Sequence, residues 1–313
     1  MKTQGVKYLE QGGAEIVEIE VLDPEPGEVQ LESGACGICA LDLYAFRHGT
    51  AAMPFTPPAG HEGVSHITKI GQGVEGFKEG QRVAGGSFAR VSNVKATEIY
   101  PIPASDQPDE YWVVEPVSCV VTGIDLCNLR PGDRVAVVGC GFMGLLLVQG
   151  LAHSYAEQLI GIDINPKRLE LAKRFGADAV FDASEHDLGG HLEELRALEI
   201  DTVVETSGTQ AGLNLATRLV RTGGRISEFG WIHGNATVSG DAWHLGGFTI
   251  VNPSPFGKIR DTFPAAIRLM KKGIFDLRPL VTHVVPLEEY PSLCERIADG
   301  EEPDYIKGVV KLK

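Results

Sequence analysis

The sequence predicts a two-part α/β chain: a β-rich, mainly antiparallel unit, and a doubly wound parallel-sheet unit inserted before a returning tail. Three observations predict it. Up to about residue 110, short β-type runs are punctuated by glycine and proline. From about Arg134, strand and helix patterns alternate, and after about Phe256 one amphipathic helix precedes a further strand–helix–strand set. The expected boundaries are 1–120 with 257–313 for the β-rich unit and 121–256 for the parallel unit. With 313 residues, 43% hydrophobic and 22% charged, the chain has room for about two packed domains.

In the first unit the expected strands are AEIVEIEVL (14–22), GEVQLES (27–33), GVSHITKI (63–70), QRVAGGSFARV (81–91) and TEIYPIP (97–103). In the second, RVAVVG (134–139) is a short apolar strand, and FMGLLLVQGLAHSYA follows at helical period. QLIGID (158–163) is the next strand. The helix after it has Asn165 as cap, Pro166 in its first turn and Gly176 as its stop. AVFDA, DTVVETSG, GRISEFGW and FTIVNPSP supply further strands. Their alternation with helices implies a parallel sheet covered on both faces. In the tail, TFPAAIRLMKKG is a helix and IKGVVKLK the closing strand.

A net charge of −14 argues against nucleic-acid or anionic-membrane partners. MKTQGVKYLEQGG turns polar too early for a signal peptide, and no run of about eighteen apolar residues suggests a spanning helix. The six cysteines lack disulfide-framework spacing, so a reducing, cytoplasmic setting is expected, with cysteine available as a metal ligand.

Gly139-Cys140-Gly141-Phe142-Met143-Gly144 matches G-x-G-x-x-G, directly after a buried-type strand and at the opening of a helix. Asp163 ends the next strand, 19 residues after Gly144. Together these form the dinucleotide fingerprint: the glycines admit the pyrophosphate to the helix N-terminus, and the acid takes the ribose hydroxyls. Asp163 would also repel a 2′-phosphate, which favours NAD over NADP, although Lys167 and Arg168 lie close by. The cofactor-binding set is Gly139, Gly141, Phe142, Met143, Gly144, Asp163, Ile164, Arg168, Ser207 and Trp231. Trp231 and His233 follow a strand end, where they either touch the nicotinamide or substrate or pack on their own domain.

Cys39, His61 and Glu62 in the β-rich part, with Glu115 at the connection, offer sulfur, nitrogen and oxygen, the donor set of a zinc site with one open position. Cys36 forms C-x-x-C with Cys39, but no second pair follows at structural-zinc spacing, so Cys36 is read as a small buried residue.

GACGICALDLYAFRHG, GHEGV (60–64), EPVS (115–118), VVGCGFMG and DLRPLVTHVVPLEE, taken in order, closely resemble the medium-chain zinc-dependent alcohol dehydrogenases. Glu115-Pro116 is nearest to the sorbitol and polyol dehydrogenase branch. The resemblance implies a GroES-like catalytic domain from both chain ends, a Rossmann domain between, and a substrate cleft where they meet. It implies Cys39 and His61 as zinc ligands, Glu62 as a direct or exchanging ligand, Glu115 as a ligand or the holder of a water, and Asp42 as the acid that orients His61. Relatives are commonly homodimers or homotetramers, and the same is expected here.

Two departures shape the expectation. Between Arg82-Val83 and Ser87-Phe88 stand only Ala84, Gly85 and Gly86, where the family's structural-zinc lobe would be inserted, so one catalytic zinc and no structural zinc is expected. Leu41 replaces the hydroxyl residue that relays the alcohol proton, and Tyr44 stands where a histidine is often found. The base is therefore assigned to a water held by Glu62 or Glu115, with Tyr44 and His48 as less favoured candidates; Tyr44, Phe46 and His48 fit equally as pocket lining or packing. The expected function is zinc-dependent hydride transfer between a secondary alcohol, polyol or sugar-like, and NAD. The alternatives are an NAD-binding regulatory protein that has lost catalysis and a zinc-free enone or quinone reductase of the same fold. His66, His153, His186, His191, His244 and His283 are read as structural or solvent-facing.

Overall fold

The computed structural model describes residues 1–50, 59–184, 186–254 and 259–313, with the backbone alone at 186 and 187. Strands β1 (Lys2–Tyr8) and β2 (Ala14–Glu20) form an antiparallel hairpin, with the glutamates of β2 turned to solvent. Sequence patterning had marked only the second. β3 (Glu28–Gly37) leads through Ile38 and Cys39 into helix α1 (Ala40–His48). This helix was not anticipated, because it buries only Asp42 and Ala45 and so shows no apolar stripe. Its start is set instead by Asp42, whose Oδ2 accepts the Cys39 N–H at 2.7 Å. β4 (Glu62–Ile70) pairs antiparallel with β3, and β5 (Arg82–Ala84) with β4. The run QRVAGGSFARV is not one strand: Gly85 and Gly86, at φ +137° and +108°, end β5, and β6 (Val91–Lys95) pairs with β3 instead. β7 (Tyr100–Pro101) closes that edge.

Helix α2 (Glu115–Cys127) leads into β8 (Arg134–Val138), α3 (Phe142–Leu151), β9 (Gln158–Asp163), α4 (Pro166–Arg174) and β10 (Ala179–Asp182). Next come α5 (Leu192–Ala197), β11 (Ile200–Glu205), α6 (Gln210–Leu219), β12 (Val220–Glu228), α7 (Gly240–Gly246) and β13 (Thr249–Val251). The six strands form a parallel sheet in the order β10-β9-β8-β11-β12-β13. Chain order reverses between β8 and β11, so their carboxyl ends flank the crevice where doubly wound sheets take ligands. Ala136, Val138, Ile160, Ile162, Val203 and Ile226 fill the core between sheet and helices. The expected caps of α4 are present: Asn165 Oδ1 accepts the Lys167 N–H at 3.0 Å, Pro166 opens the helix, and Gly176 ends the turn at φ +110°.

After α8 (Phe263–Lys271), β14 (Val281–Pro286), α9 (Tyr290–Ala298) and β15 (Lys307–Lys311) return the chain to the first sheet. β15 runs parallel to β14 and antiparallel to β3, giving the order β14-β15-β3-β4-β5-β7 with β6 on β3. Tyr8, Cys36, Ile38, Phe88, Leu287, Tyr290, Leu293, Cys294 and Val310 form its core against α9. Two compact units result, Met1–Pro116 with Ala266–Lys313 and Val117–Ala265; the expected boundaries were 120/121 and 256/257. Among the described residues no helix is long and apolar enough to cross a membrane.

Candidate active site

The turn from β3 into α1 carries Cys39, and the start of β4 carries His61 and Glu62. Antiparallel pairing sets Glu62 opposite Gly37. One ligand atom each from Cys39, His61 and Glu62 lies within 4.8 Å of the others, close to the span that one ion with bonds of about 2.0–2.3 Å bridges. His61 Nδ1 is buried with no hydrogen-bond partner. A buried ring nitrogen left without a partner is costly, and a bound cation would satisfy it. The donor set and this nitrogen fit zinc.

Burial, then the charges of Glu62, Asp42 and Glu115, push the Cys39 thiol well up, with Lys307 acting in the opposite sense. Glu115, first residue of α2, lies outside the three-residue group but makes itself felt on Cys39 through its charge. Tyr44 and His48 stack on each other along α1 with ring centroids 4.5 Å apart, and His48 is exposed. Asp42 does not hydrogen-bond His61. Its oxygens take Tyr8 Oη–H at 2.8 Å and Cys39 N–H at 2.7 Å, and burial raises its pKa while the charge of His61 lowers it.

Lys307 gave no sequence signal, because one lysine at the start of a strand usually faces water. Here its Nζ lies 2.5 Å from Glu62 Oε2 and donates to the Ile38 carbonyl at 2.9 Å, with both charged side chains at least 96% buried. Burial alone would lower the lysine pKa, but Glu62 and then Cys39 outweigh it, so the ammonium stays charged. Gly37 makes the room: a β-carbon there would sit 2.0 Å from Glu62 Oε2. Of the remaining histidines, His66 faces Asp109 at 3.8 Å, His191 faces Glu194 at 2.9 Å, and His283 faces Glu302 at 3.1 Å. His153 and His244 are exposed, and the His186 side chain lies outside the described residues.

In the parallel unit the glycine-rich turn joins β8 to α3 at the sheet's reversal point. A β-carbon on Gly139, at φ +96°, would meet Ser207 N at 2.6 Å, and one on Gly144 would meet the Gly139 carbonyl oxygen at 1.9 Å. One on Gly141 would meet nothing within 4 Å. Gly141 caps α3 without a side-chain hydrogen bond, so no side chain fills the space at the start of the helix, a cradle that fits a pyrophosphate. Phe142 and Met143 open the helix. Asp163 is 7% exposed; its oxygens accept Cys140 N–H at 2.6 Å and Asn165 N–H at 2.8 Å, which fixes a negative charge beneath the turn. Ile164 is exposed next to it, and Arg168 on α4 is close enough for its charge to act on the Cys140 thiol.

Sequence reading had not singled out Thr206 or Glu205, which hold the loop after β11. Thr206 Oγ1 donates to the Val138 carbonyl at 3.1 Å and to that of Gly139. Buried Glu205, its pKa raised by burial, accepts Ser207 N–H at 2.8 Å, Ser207 Oγ–H and Gly208 N–H at 3.2 Å. Ser207 thus has its hydroxyl engaged within the loop. Trp231 is exposed, its ring centroid 4.0 Å from that of His233, and its carbonyl packs over Gly208.

Glu228 pairs with Glu205 across β12 and β11. Its Oε2 is buried without a hydrogen-bond partner; burial, then the Glu205 charge, raises its pKa to about 7. The folded pKa lies above the unfolded value, so stability is lost as pH rises from about 4.5 to 7. Glu228→Gln is expected to stabilise the chain by about 1–2 kcal/mol at pH 8, discounted for a half-buried group, and by little at pH 4.5. Denaturant unfolding at both pH values checks this, and an equal gain at both would rule it out.

Two family models match the chain: the alcohol dehydrogenase GroES-like domain over residues 25–104, and the zinc-binding dehydrogenase over 143–272. Between them they cover more than half of it. The chain belongs to the zinc-type medium-chain alcohol dehydrogenase family. It is 25% identical to (R,R)-butanediol dehydrogenase of Bacillus subtilis (strain 168), over 91% of this chain and 93% of that one. Two solved Escherichia coli structures share the fold. An oxidoreductase/dehydrogenase of unknown specificity gives a TM-score of 0.89 at 24% identity, covering 99% of both chains. Galactitol-1-phosphate dehydrogenase gives 0.84 at 23% identity, covering 98% of this chain and 99% of that one. As a zinc-type dehydrogenase the chain is an oxidoreductase with GroES-like and Rossmann parts.

Proposed function

We propose that this chain oxidises a secondary alcohol, polyol or sugar-like, with NAD as hydride acceptor and one zinc per chain. The observation that carries the reading is the group of Cys39, His61 and Glu62, with an unsatisfied His61 nitrogen, in a chain that also has the glycine-rich turn above Asp163. Zinc, when bound, supplies a Lewis acid for the substrate oxygen, and NAD supplies the hydride acceptor. Cys39, His61 and Glu62 hold the metal. Lys307 pairs with Glu62 and fixes its direction. Because Leu41 has no hydroxyl to relay a proton, the alcohol proton passes to a water held by Glu62 or Glu115, with Tyr44 and His48 ranking behind them. The buried charge of Asp163 supports NAD, since a 2′-phosphate would meet it unpaired. The single zinc rests on the direct passage from Ala84 to Phe88, where no cysteine stands.

The test is formation of reduced cofactor over a panel of polyols, sugars, hydroxy acids and simple secondary alcohols, with NAD and NADP in parallel. Turnover with NAD on polyols or diols is expected. NAD binding without turnover on any alcohol would favour the regulatory binder, and reduction of enones after full metal removal would favour the zinc-free reductase.

A further inference from the structure

Two tyrosine hydroxyls lie in an otherwise apolar core. Tyr8 comes from β1 and Tyr290 from the first residue of α9, and both rings are buried among Cys36, Ile38, Phe88 and Leu287. Packing alone would be served as well by phenylalanine. A hydroxyl taken into such a core is costly unless it is bonded, so the placement of its partners says what it is for. Tyr8 Oη donates to Asp42 Oδ1 at 2.8 Å, and Tyr290 Oη lies 2.9 Å from Tyr8 Oη. With the single Tyr8 proton directed at the carboxylate, Tyr290 donates to Tyr8. The other Asp42 oxygen takes the Cys39 N–H at 2.7 Å.

We propose that Tyr8 and Tyr290 are positioning residues of the metal centre, orienting Asp42 so that it holds Cys39 and faces His61 with a fixed charge; this rests on the reading of Cys39, His61 and Glu62 as zinc ligands. A buried carboxylate bonded at both oxygens has one orientation. Without the Tyr8 donor, Oδ1 is left buried and bare, and the carboxylate turns, loosening the Cys39 backbone and moving the charge that His61 meets. The chain ends at Tyr290 and the Cys294 thiol bonded to it, both fully buried, with the Phe88 ring centroid 4.7 Å from that of Tyr290, so it fixes a charge and carries no proton to solvent.

The experiment uses the full-length zinc-loaded protein and its cobalt(II)-substituted form. Tyr8→Phe is expected to release zinc to a chelating dye about 10–100-fold faster and to shift the thiolate-to-cobalt absorption band. Tyr290→Phe, which leaves the Tyr8–Asp42 bond in place, should act in the same direction by only a few-fold, and it carries the test if Tyr8→Phe does not fold. Ser118→Ala, which removes a buried hydroxyl pair with Thr262 in the parallel unit, should leave release and spectrum unchanged. Wild-type release rates and spectra in both tyrosine variants, or equal acceleration in Ser118→Ala, would overturn the proposal while leaving the metal centre standing. A wild-type protein that takes up no zinc would overturn the metal-centre reading and this proposal with it.

Discussion

Lys307→Met is expected to lower the stability of the metal-free chain by about 3–5 kcal/mol, the usual consequence of removing one partner from a buried ion pair. Glu62 would keep its place in the fold, 2% exposed, with its counter-ion gone and Gly37 offering no donor side chain in its stead. Two controls separate this from lost packing. Glu62→Gln in the same background should recover much of the loss, since a neutral amide needs no counter-charge. Zinc should also rescue the single variant, because a cation beside Glu62 replaces the ammonium. Urea unfolding of the three proteins with and without zinc checks both, and a loss below about 1 kcal/mol would show the pair to be energetically idle.

The two glycines of the turn should part company. Gly144→Ala places a methyl 1.9 Å from the Gly139 carbonyl oxygen and 2.9 Å from Thr206 Oγ1, contacts that only movement of α3 away from the turn can relieve. A stability loss of about 1–3 kcal/mol is expected from such overpacking, and cofactor affinity should fall on the order of 100-fold as the turn loses alignment. Gly141→Ala meets nothing within 4 Å, at a backbone geometry of φ −71°, ψ −167° that any residue adopts. The fold therefore has no need of glycine there, whereas a pyrophosphate lying against the turn does. Gly141→Ala should stay within about 0.5 kcal/mol of wild type in stability and still lose NAD affinity at least tenfold. Calorimetric titration with NAD alongside thermal unfolding separates the two effects. Full NAD affinity in Gly141→Ala would place the cofactor elsewhere.

The parallel unit was legible because its signals are local. Buried strands such as RVAVV and QLIGID are continuous apolar runs, and Asn165, Pro166 and Gly176 act on the helix beside them. The first unit was read less fully. β1, KTQGVKY, shows little alternation, and α1 owes its start to one aspartate rather than to an apolar face. The double glycine that breaks QRVAGGSFARV lay in plain view, but a strand pattern continues on both sides of it. At the site, the chemistry of Cys39, His61 and Glu62 could be read from residue types, and the fold brings all three together. Lys307, Tyr8 and Glu205 stayed hidden, because their roles come from tertiary burial that the flanking residues do not encode. Asp42 was anticipated as the partner of His61, yet its hydrogen bonds go to Tyr8 and Cys39.

In the proposed function, zinc held by Cys39, His61 and Glu62 carries the oxidation of an alcohol by NAD. It is tested most directly by following zinc content and alcohol-dependent NADH formation together, as the metal is stripped with a chelator and then restored. About one zinc per chain is expected, with activity falling in step with zinc and returning on its re-addition. Undiminished turnover in a protein fully stripped of zinc would contradict it.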